Sequence, residues 1–402
     1  MKIAIVNNDF RVYFPPRLLA LQEFLEARGD ELYIIELFEE SIDYKFSDND
    51  KSVFRNHEFL FPTWQGISMK TVGRKLTGRL DAIGPDAVLC GAIAFPAGAV
   101  AVRWASNHGK AVVSFDNAKK DTFERGWLNR FIKRRIFRHV DAFLCPSPAW
   151  DASMQWWGFA PEQIFYGLNT SDNAFWSVDP GVDVEYNDFF LSVGRLIPKK
   201  NHIDILHAYR IYSEKAGAAA RPLVIIGDGA QRPALERYIA DNGLSGAALL
   251  PFKRPEELRG YYHRAACLII ASDKEETWGI VVNEAMNGGC AVMASDQTGC
   301  ASTMIEPGVN GYIFPMGDIG VLAAAMISYD SLSTLARQNM SAAARQTVGQ
   351  WGLDRFCRGV DGAVRYAMAH RRRCRNPLDW LILRLWKGRI RINDNNGTGV
   401  YR

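Results

Sequence analysis

The chain has no apolar run near the ~18 uninterrupted residues a membrane span needs, and its cysteines follow no pattern. The seven stand at positions 90, 145, 267, 290, 300, 357 and 374. Their odd number and the lack of any Cys-x-x-Cys spacing argue against a disulfide framework or a zinc site, so a reducing, cytoplasmic compartment is expected. Surplus charge is also scarce. Lys and Arg number 48 against 44 Asp and Glu, and the net +4 is too small to mark a nucleic-acid binder. The opening Met1-Lys2-Ile3-Ala4-Ile5-Val6 reads as a buried strand, without the basic, apolar and small-residue succession of a signal peptide.

What remains is an ordinary globular composition, 48% hydrophobic and 23% charged, spread over 402 residues. That exceeds the size at which one core keeps growing, so two domains are expected. Short apolar runs alternate with helical patterns in both halves, which is the pattern of parallel α/β layers. Candidate strands in the first half are 2–7, 31–36, 86–90, 111–115 and 142–146, with a helix over 16–28 and another in the Ala- and Gly-rich stretch 91–107. Sharper strands follow at 189–193, 223–226, 247–250, 267–270 and 290–293. Periodicity lapses over 172–188, the natural linker. The expected division is 1–178, 186–346, a final helix over 350–370 crossing back to the first domain, and a basic aromatic tail at 371–402. An open parallel sheet binds ligands beyond the carboxyl ends of its strands. The turns after the second-half strands are therefore where a site is expected.

Two clusters there carry chemistry. Gly194-Arg195-Leu196-Ile197-Pro198-Lys199-Lys200-Asn201 places two cations, Arg195 and Lys200, five positions apart at a strand end. Read by itself it is either a diphosphate clamp or a solvated basic turn. The second cluster runs from Ser272 to Met286 and contains Glu276, Gly279 and Glu284. If Gly279 opens a helix, the amides of Ile280 and Val281 form an anion site. Glu276 then sits where a sugar would lie, and Glu284 one stretch further along the helix. Taken separately, they are equally a helix-start carboxylate and a surface acid.

The seven-residue spacing of the two acids around a strand-to-helix glycine resembles the Glu-x7-Glu motif of family 4 glycosyltransferases. The surrounding order is similar to that family as well: Gly227-Asp228-Gly229 after a strand, Pro251-Phe252 before Glu256-Glu257-Leu258, and Glu306 followed by Gly308-Val309-Asn310-Gly311. The likeness is strong over about 189–318 and weak elsewhere. It implies a GT-B fold, two facing Rossmann-like α/β domains with a deep interdomain cleft, and retention of anomeric configuration. It implies a nucleotide-diphosphate sugar as co-substrate, with no cofactor and no metal. Arg195 and Lys200 would bind the diphosphate, Glu284 the ribose hydroxyls and Glu276 the donor sugar. Gly194, Gly227, Gly279, Ile280 and Val281 would line the donor site, and the backbone at Phe252 and Lys253 would frame the base. Asp48-Asn49-Asp50 looks like an Asp-x-Asp metal motif, but it follows no strand and reads as a solvated turn.

The chain departs from that family in three places. The loop after the first strand, residues 7–16, has no glycine pair, and Arg17 is the cation that would compensate unless it lies on the surface. Where a His is usual, Val113-Ser114-Phe115-Asp116-Asn117 stands instead, so Asp116 is either the acceptor-side catalytic base or a helix cap. Asn201 replaces a glycine at a helix start that should tolerate it.

Two basic, aromatic segments complete the reading. In 119–140, Trp127, Leu128, Phe131, Ile132, Ile136 and Phe137 form a stripe opposite Arg130, Lys133, Arg134 and Arg138; 371–391 joins an Arg-rich run to Trp380-Leu381-Ile382-Leu383-Arg384-Leu385-Trp386-Lys387. Either the stripe is buried in the core, or both segments meet an anionic membrane surface. The expected function is sugar transfer to a glycan or lipid-linked acceptor in bacterial surface polysaccharide or lipopolysaccharide synthesis, on the inner face of the cell membrane. The alternative is a non-catalytic sugar-nucleotide-binding or scaffold protein on the same fold. Neither a nucleic-acid reader nor the signature of an epimerase or phosphorylase is found.

Overall fold

The computed structural model describes residues 1–11, 13–40, 51–181, 184–372, 376–389, 391–393 and 399–401. The Asp48-Asn49-Asp50 turn, Cys374 and its two arginine neighbours lie outside them. The chain forms two compact units. Unit 1 gathers Met1–Thr170 and the described residues from Leu353 onward, and unit 2 is Ser171–Gly352.

In unit 1 strand and helix alternate: β1 (Lys2–Asn7), α1 (Phe14–Glu26), β2 (Glu31–Phe38), β3 (His57–Phe61), α2 (Met69–Ile83), β4 (Ala87–Cys90), α3 (Pro96–His108), β5 (Ala111–Phe115), α4 (Trp127–Phe137), β6 (Ala142–Cys145), α5 (Asp151–Trp157) and β7 (Ile164–Tyr166). The strands pair in parallel in the order β3-β2-β1-β4-β5-β6-β7. Central strands such as β4 and β5 are buried along their whole length, because helices cover both faces of a parallel sheet. Helix α1 starts at Phe14 rather than at residue 16, since Pro15 and Pro16 fit a first turn whose N–H groups have no helical partner.

Unit 2 repeats the pattern with α6 (Asn173–Trp176), β8 (Phe189–Val193), α7 (His202–Ala216), β9 (Leu223–Ile226), α8 (Arg232–Asp241), β10 (Ala247–Leu250), α9 (Pro255–Arg264), β11 (Ala265–Ile270), α10 (Val281–Gly288), β12 (Ala291–Ser295), α11 (Ala301–Met304), β13 (Gly311–Phe314), α12 (Ile319–Asp330) and α13 (Thr334–Gly349). Its parallel order is β10-β9-β8-β11-β12-β13. The chain then returns to unit 1 with α14 (Leu353–Ala369) and α15 (Pro377–Leu385). Helix α14 buries Phe356, Cys357, Val360, Ala363, Val364 and Ala367, a one-sided stripe at helical spacing. It shares a core with Leu18, Leu21 and Leu25 of α1 and with Val113 and Leu144 of the sheet.

Within the two parallel sheets, three strands escape the sequence reading: β3, β7 and β13. All are sheet edges. An edge strand has one neighbour and needs less continuous apolar character, so its signal is weak.

Two cations depart from a surface placement. Arg17 is the first. It is fully buried, and its Nε and Nη2 donate to the Thr170 carbonyl at 2.9 and 2.6 Å, holding α1 to the end of the unit. Lys133 does not share the outward polar stripe of α4. Its Nζ lies 3.9 Å from Asp116 Oδ2 and 4.6 Å from the centre of the Trp157 ring. The apolar stripe is split as well. Ile136 and Phe137 are buried, whereas Trp127 and Leu128 are 78% and 52% exposed. The helix begins only at Trp127, so its first turn lies clear of the core.

Candidate functional site

In unit 2, strand order runs outward in both directions from β8, with β9 on one side and β11 on the other. The loops after β8 and β11 therefore part at their carboxyl ends, and an open α/β sheet has its ligand crevice at such a switch point. Gly194 to Lys200 follow β8, and Ser272 to Gly279 follow β11.

The floor is built from backbone. The Gly194 amide donates to Ile226 at 3.0 Å, and that of Leu196 to Asp228 at 2.8 Å. Gly227, at φ +157°, lies so close that a β-carbon would overlap the Gly194 carbonyl oxygen. This is why glycine follows β9. Arg232 on α8 ties the next strand in, donating from Nη2 to the carbonyls of Gly227 and Leu250 at 2.7 and 2.9 Å. Phe252 and Lys253 follow β10. The Phe252 side chain is 44% exposed, and Lys253 pairs with Glu257 at 3.2 Å.

Above that floor, Lys200 leaves a short turn closed by Asn201, which adopts a left-handed φ of +52°. A glycine would suit that conformation best, and asparagine is among the few side chains that tolerate it. Lys200 Nζ donates to Glu276 Oε2 and forms an ion pair with it. Burial alone would raise the Glu276 carboxyl. The charges of Lys200, Lys199 and Arg195 outweigh burial and hold it below its ordinary value of 4.5. Lys199 is pushed down by burial, against the pull of Glu276. Glu276 is thus an ionised carboxylate beneath three cations, neither a helix cap nor a surface acid.

The Glu276 loop is pinned from two sides. The Asp273 amide donates to the Lys199 carbonyl at 2.9 Å, and the Gly299 amide to the Glu276 carbonyl at 2.9 Å. Gly279 turns the chain at φ +92° but does not itself open the helix; Val281 is the first helical residue. The amides of Ile280 and Val281 have no carbonyl four residues back within the helix, so its amino end favours an anion. Glu284, one turn on, is buried, and its Oε2 accepts from the Tyr262 hydroxyl at 2.9 Å. Burial and the Glu284 charge raise the Tyr262 phenol well above its ordinary value, so it stays a donor. Trp278 donates from Nε1 to Asn283 Oδ1 at 2.8 Å and fixes the helix start.

The fold therefore brings Gly194, Lys199, Lys200, Glu276 and Gly227 to one group of strand ends, with Gly279, Ile280, Val281 and Glu284 on the element that follows β11. Tyr262 and Arg232 were missed by sequence reasoning. They sit 22 residues from Glu284 and 18 from Leu250, and neither belongs to a local motif.

Asp116 belongs to unit 1. Its Oδ1 accepts from the Ala118 amide at 3.0 Å, a local turn, and no helix starts there, so it is not a helix cap. Its neighbour Lys133 is pushed down by burial to about 8. Below that pH the ammonium is charged in both folded and unfolded states, and burial penalises the fold. Above the ordinary 10.5 it is neutral in both and the penalty is gone. Stability of unit 1 is thus expected to rise from pH 8 to 10.5, by on the order of 3 kcal/mol. Urea unfolding of Lys133→Met should lose that slope and show a more stable unit 1 at pH 7; an unchanged slope would mean Lys133 is well solvated.

Residues 181–347 match the family model for glycosyl transferases group 1. The chain is 33% identical over 143 residues to the amylovoran biosynthesis glycosyltransferase AmsK of Erwinia amylovora, a match covering 34% of each chain. The matched region thus spans about a third of that relative's length. Among solved structures, a glycosyltransferase from Rickettsia africae superposes with a TM-score of 0.73 at 13% identity, covering 91% of this chain and 98% of its own. Anabaena HepE in complex with UDP gives 0.70 at 15% identity, covering 91% and 100%. The fold is accordingly the paired Rossmann-like α/β architecture of the GT-B glycosyltransferases, and the group 1 glycosyl transferase match falls on unit 2 and the candidate site within it.

Proposed function

We propose that the chain is a retaining, metal-independent glycosyltransferase of family 4 that binds a nucleotide-diphosphate sugar in unit 2. One observation carries this reading. A partly buried, ionised Glu276 is paired with Lys200 and lies in the field of Lys199 and Arg195, at the switch point of a parallel sheet and next to the amino end of α10. Leaving-group departure loads negative charge onto the nucleotide diphosphate. Fixed cations and helix-end amides stabilise that charge more in the transition state than in the ground state. Arg195 and Lys200 take the diphosphate, Glu284 the ribose, Glu276 the sugar, and the 251–253 backbone the base. Asp116 is the candidate acceptor-side base. The acceptor is a glycan or lipid-linked sugar in surface polysaccharide or lipopolysaccharide assembly, and the chain works as a peripheral protein on the inner face of the membrane. The group 1 match over unit 2 and the named role of the Erwinia relative support this reading.

Calorimetry with UDP, GDP and ADP tests the site. One nucleotide is expected to bind, with and without chelator, and Glu284→Ala should weaken it at least about tenfold through loss of charged hydrogen bonds. A folded protein that binds none of the three would remove the donor site.

A further inference from the structure

Helix α15 buries Asp379 beside Leu383 and leaves its other leucines outside. Its only acid, Asp379, is fully buried, and its two carboxylate oxygens accept from Arg135 and Arg138 at the end of α4, at 2.8 and 3.2 Å. That pair of ion bridges fixes the rotation of α15 on α4 and leaves Leu378, Leu381 and Leu385 facing outward, 44%, 46% and 67% exposed. These leucines fall on one stripe at helical spacing, where a helix of a soluble domain would be expected to point inward. The same side of α4 that receives Asp379 continues toward its free end as Phe131 and Trp127. Arg135 stacks over the Phe131 ring at 4.9 Å, which ties the two parts together. Of the fourteen strongly exposed large apolar side chains among the described residues, seven belong to these two helices. The apolar exposure is concentrated, which distinguishes it from the scattered leucines of any surface.

The exposed charges carried by α4 and α15 themselves are all positive. Helix α4 has no acid, and the single acid of α15 is spent on the two arginines. Arg130, Arg134, Arg138, Arg384 and Lys387 are exposed around the apolar stripe. A second copy of such a face would meet its own positive charge. Nucleic acid would neutralise the arginines but offer nothing to three leucines. An anionic bilayer suits both, since apolar side chains enter the acyl boundary while cations stay at the phosphates. No single helix among the described residues is long and apolar enough to cross a membrane, so the contact is one of lying on the surface.

We propose that the outer faces of α4 and α15 form one docking surface for an anionic lipid bilayer, clamped into a single unit by Asp379. This deepens the peripheral-membrane part of the proposed function and is independent of the donor site.

The test is sedimentation of the full chain with vesicles of phosphatidylcholine containing about 30% phosphatidylglycerol. Binding is expected to the anionic vesicles, and to fall at least about tenfold on pure phosphatidylcholine and in Phe131→Glu/Leu381→Glu. A second variant, Arg130→Glu/Arg134→Glu, removes charge without touching the leucines and should weaken binding as strongly. Nucleotide binding by unit 2, measured in parallel, should be unchanged in both variants, which separates a failed surface from a failed donor site or a misfolded chain. Absence of binding by the wild type, or wild-type binding retained by both variants, overturns the proposal. So does a concentration-dependent dimer abolished by Phe131→Glu/Leu381→Glu, which would make this face a contact between copies.

Discussion

Lys200→Ala is expected to lower kcat/KM between about 10- and 100-fold, because a cation hydrogen-bonded to a developing charge contributes roughly 1.5–3 kcal/mol. A second effect should accompany it. In the wild type the Glu276 carboxyl is held below 4.5 because cations outweigh burial. Without Lys200 only Lys199 and Arg195 oppose burial, so the carboxyl must move up and the acid limb of the pH–rate profile with it. The stability linkage has the same sign. A depressed carboxyl adds stability that is fully present above about 4.5 and lost as the pH falls through its folded value. Lys200→Ala removes that contribution and shifts acid unfolding to higher pH. A fall in rate with an unmoved acid limb would mean that Lys200 serves the diphosphate alone. An unchanged rate would remove the donor site altogether.

Gly227→Ala is expected to be the most damaging single-methyl change in unit 2. The new β-carbon meets the Gly194 carbonyl oxygen, a backbone atom that cannot swing away, and φ of +157° is itself unfavourable for a side chain. Strain of this kind costs about 2–4 kcal/mol. It falls on the loop that carries Arg195 and Lys200, so nucleotide binding should be lost along with unit 2 stability. Gly243→Ala is the control. It too has a positive φ, +59°, but a β-carbon there would have no atom within 4 Å of it, so only the roughly 1 kcal/mol cost of the left-handed conformation remains. Thermal unfolding of the two variants side by side checks this. Similar losses in both would mean that the loops after β8 and β9 can separate cheaply.

The parts of this molecule that could be read from residues alone are those whose physics is local. Buried central strands such as β9 and β11 announce themselves as unbroken apolar runs, and the strand-to-helix turns that follow them carry their glycines and charges in order. The spacing of Glu276 and Glu284 located both acids. It did not show what holds them, because Tyr262 reaches Glu284 from another helix and Lys200 reaches Glu276 from 76 residues away. Lys133 shows the opposite failure. A helical wheel placed it with the arginines, yet it points to Asp116 and Trp157, since Trp127 and Leu128 do not take up the core side of α4. Asp379 was unreadable for the same reason as Tyr262. Its arginine partners lie 244 and 241 residues away.

The return of α14 to unit 1 also sets a timetable. A ribosome releases β1 to β7 long before it releases the helix that covers Leu18, Leu21 and Leu25. Synthesis of residues 171–352 intervenes, roughly 10–35 s at ordinary elongation rates. Through that interval the first unit exposes an apolar face, while the second, contiguous in sequence, has everything it needs to fold. The later-made half should therefore reach its native state first, and the nascent first half is where a chaperone would be expected to bind.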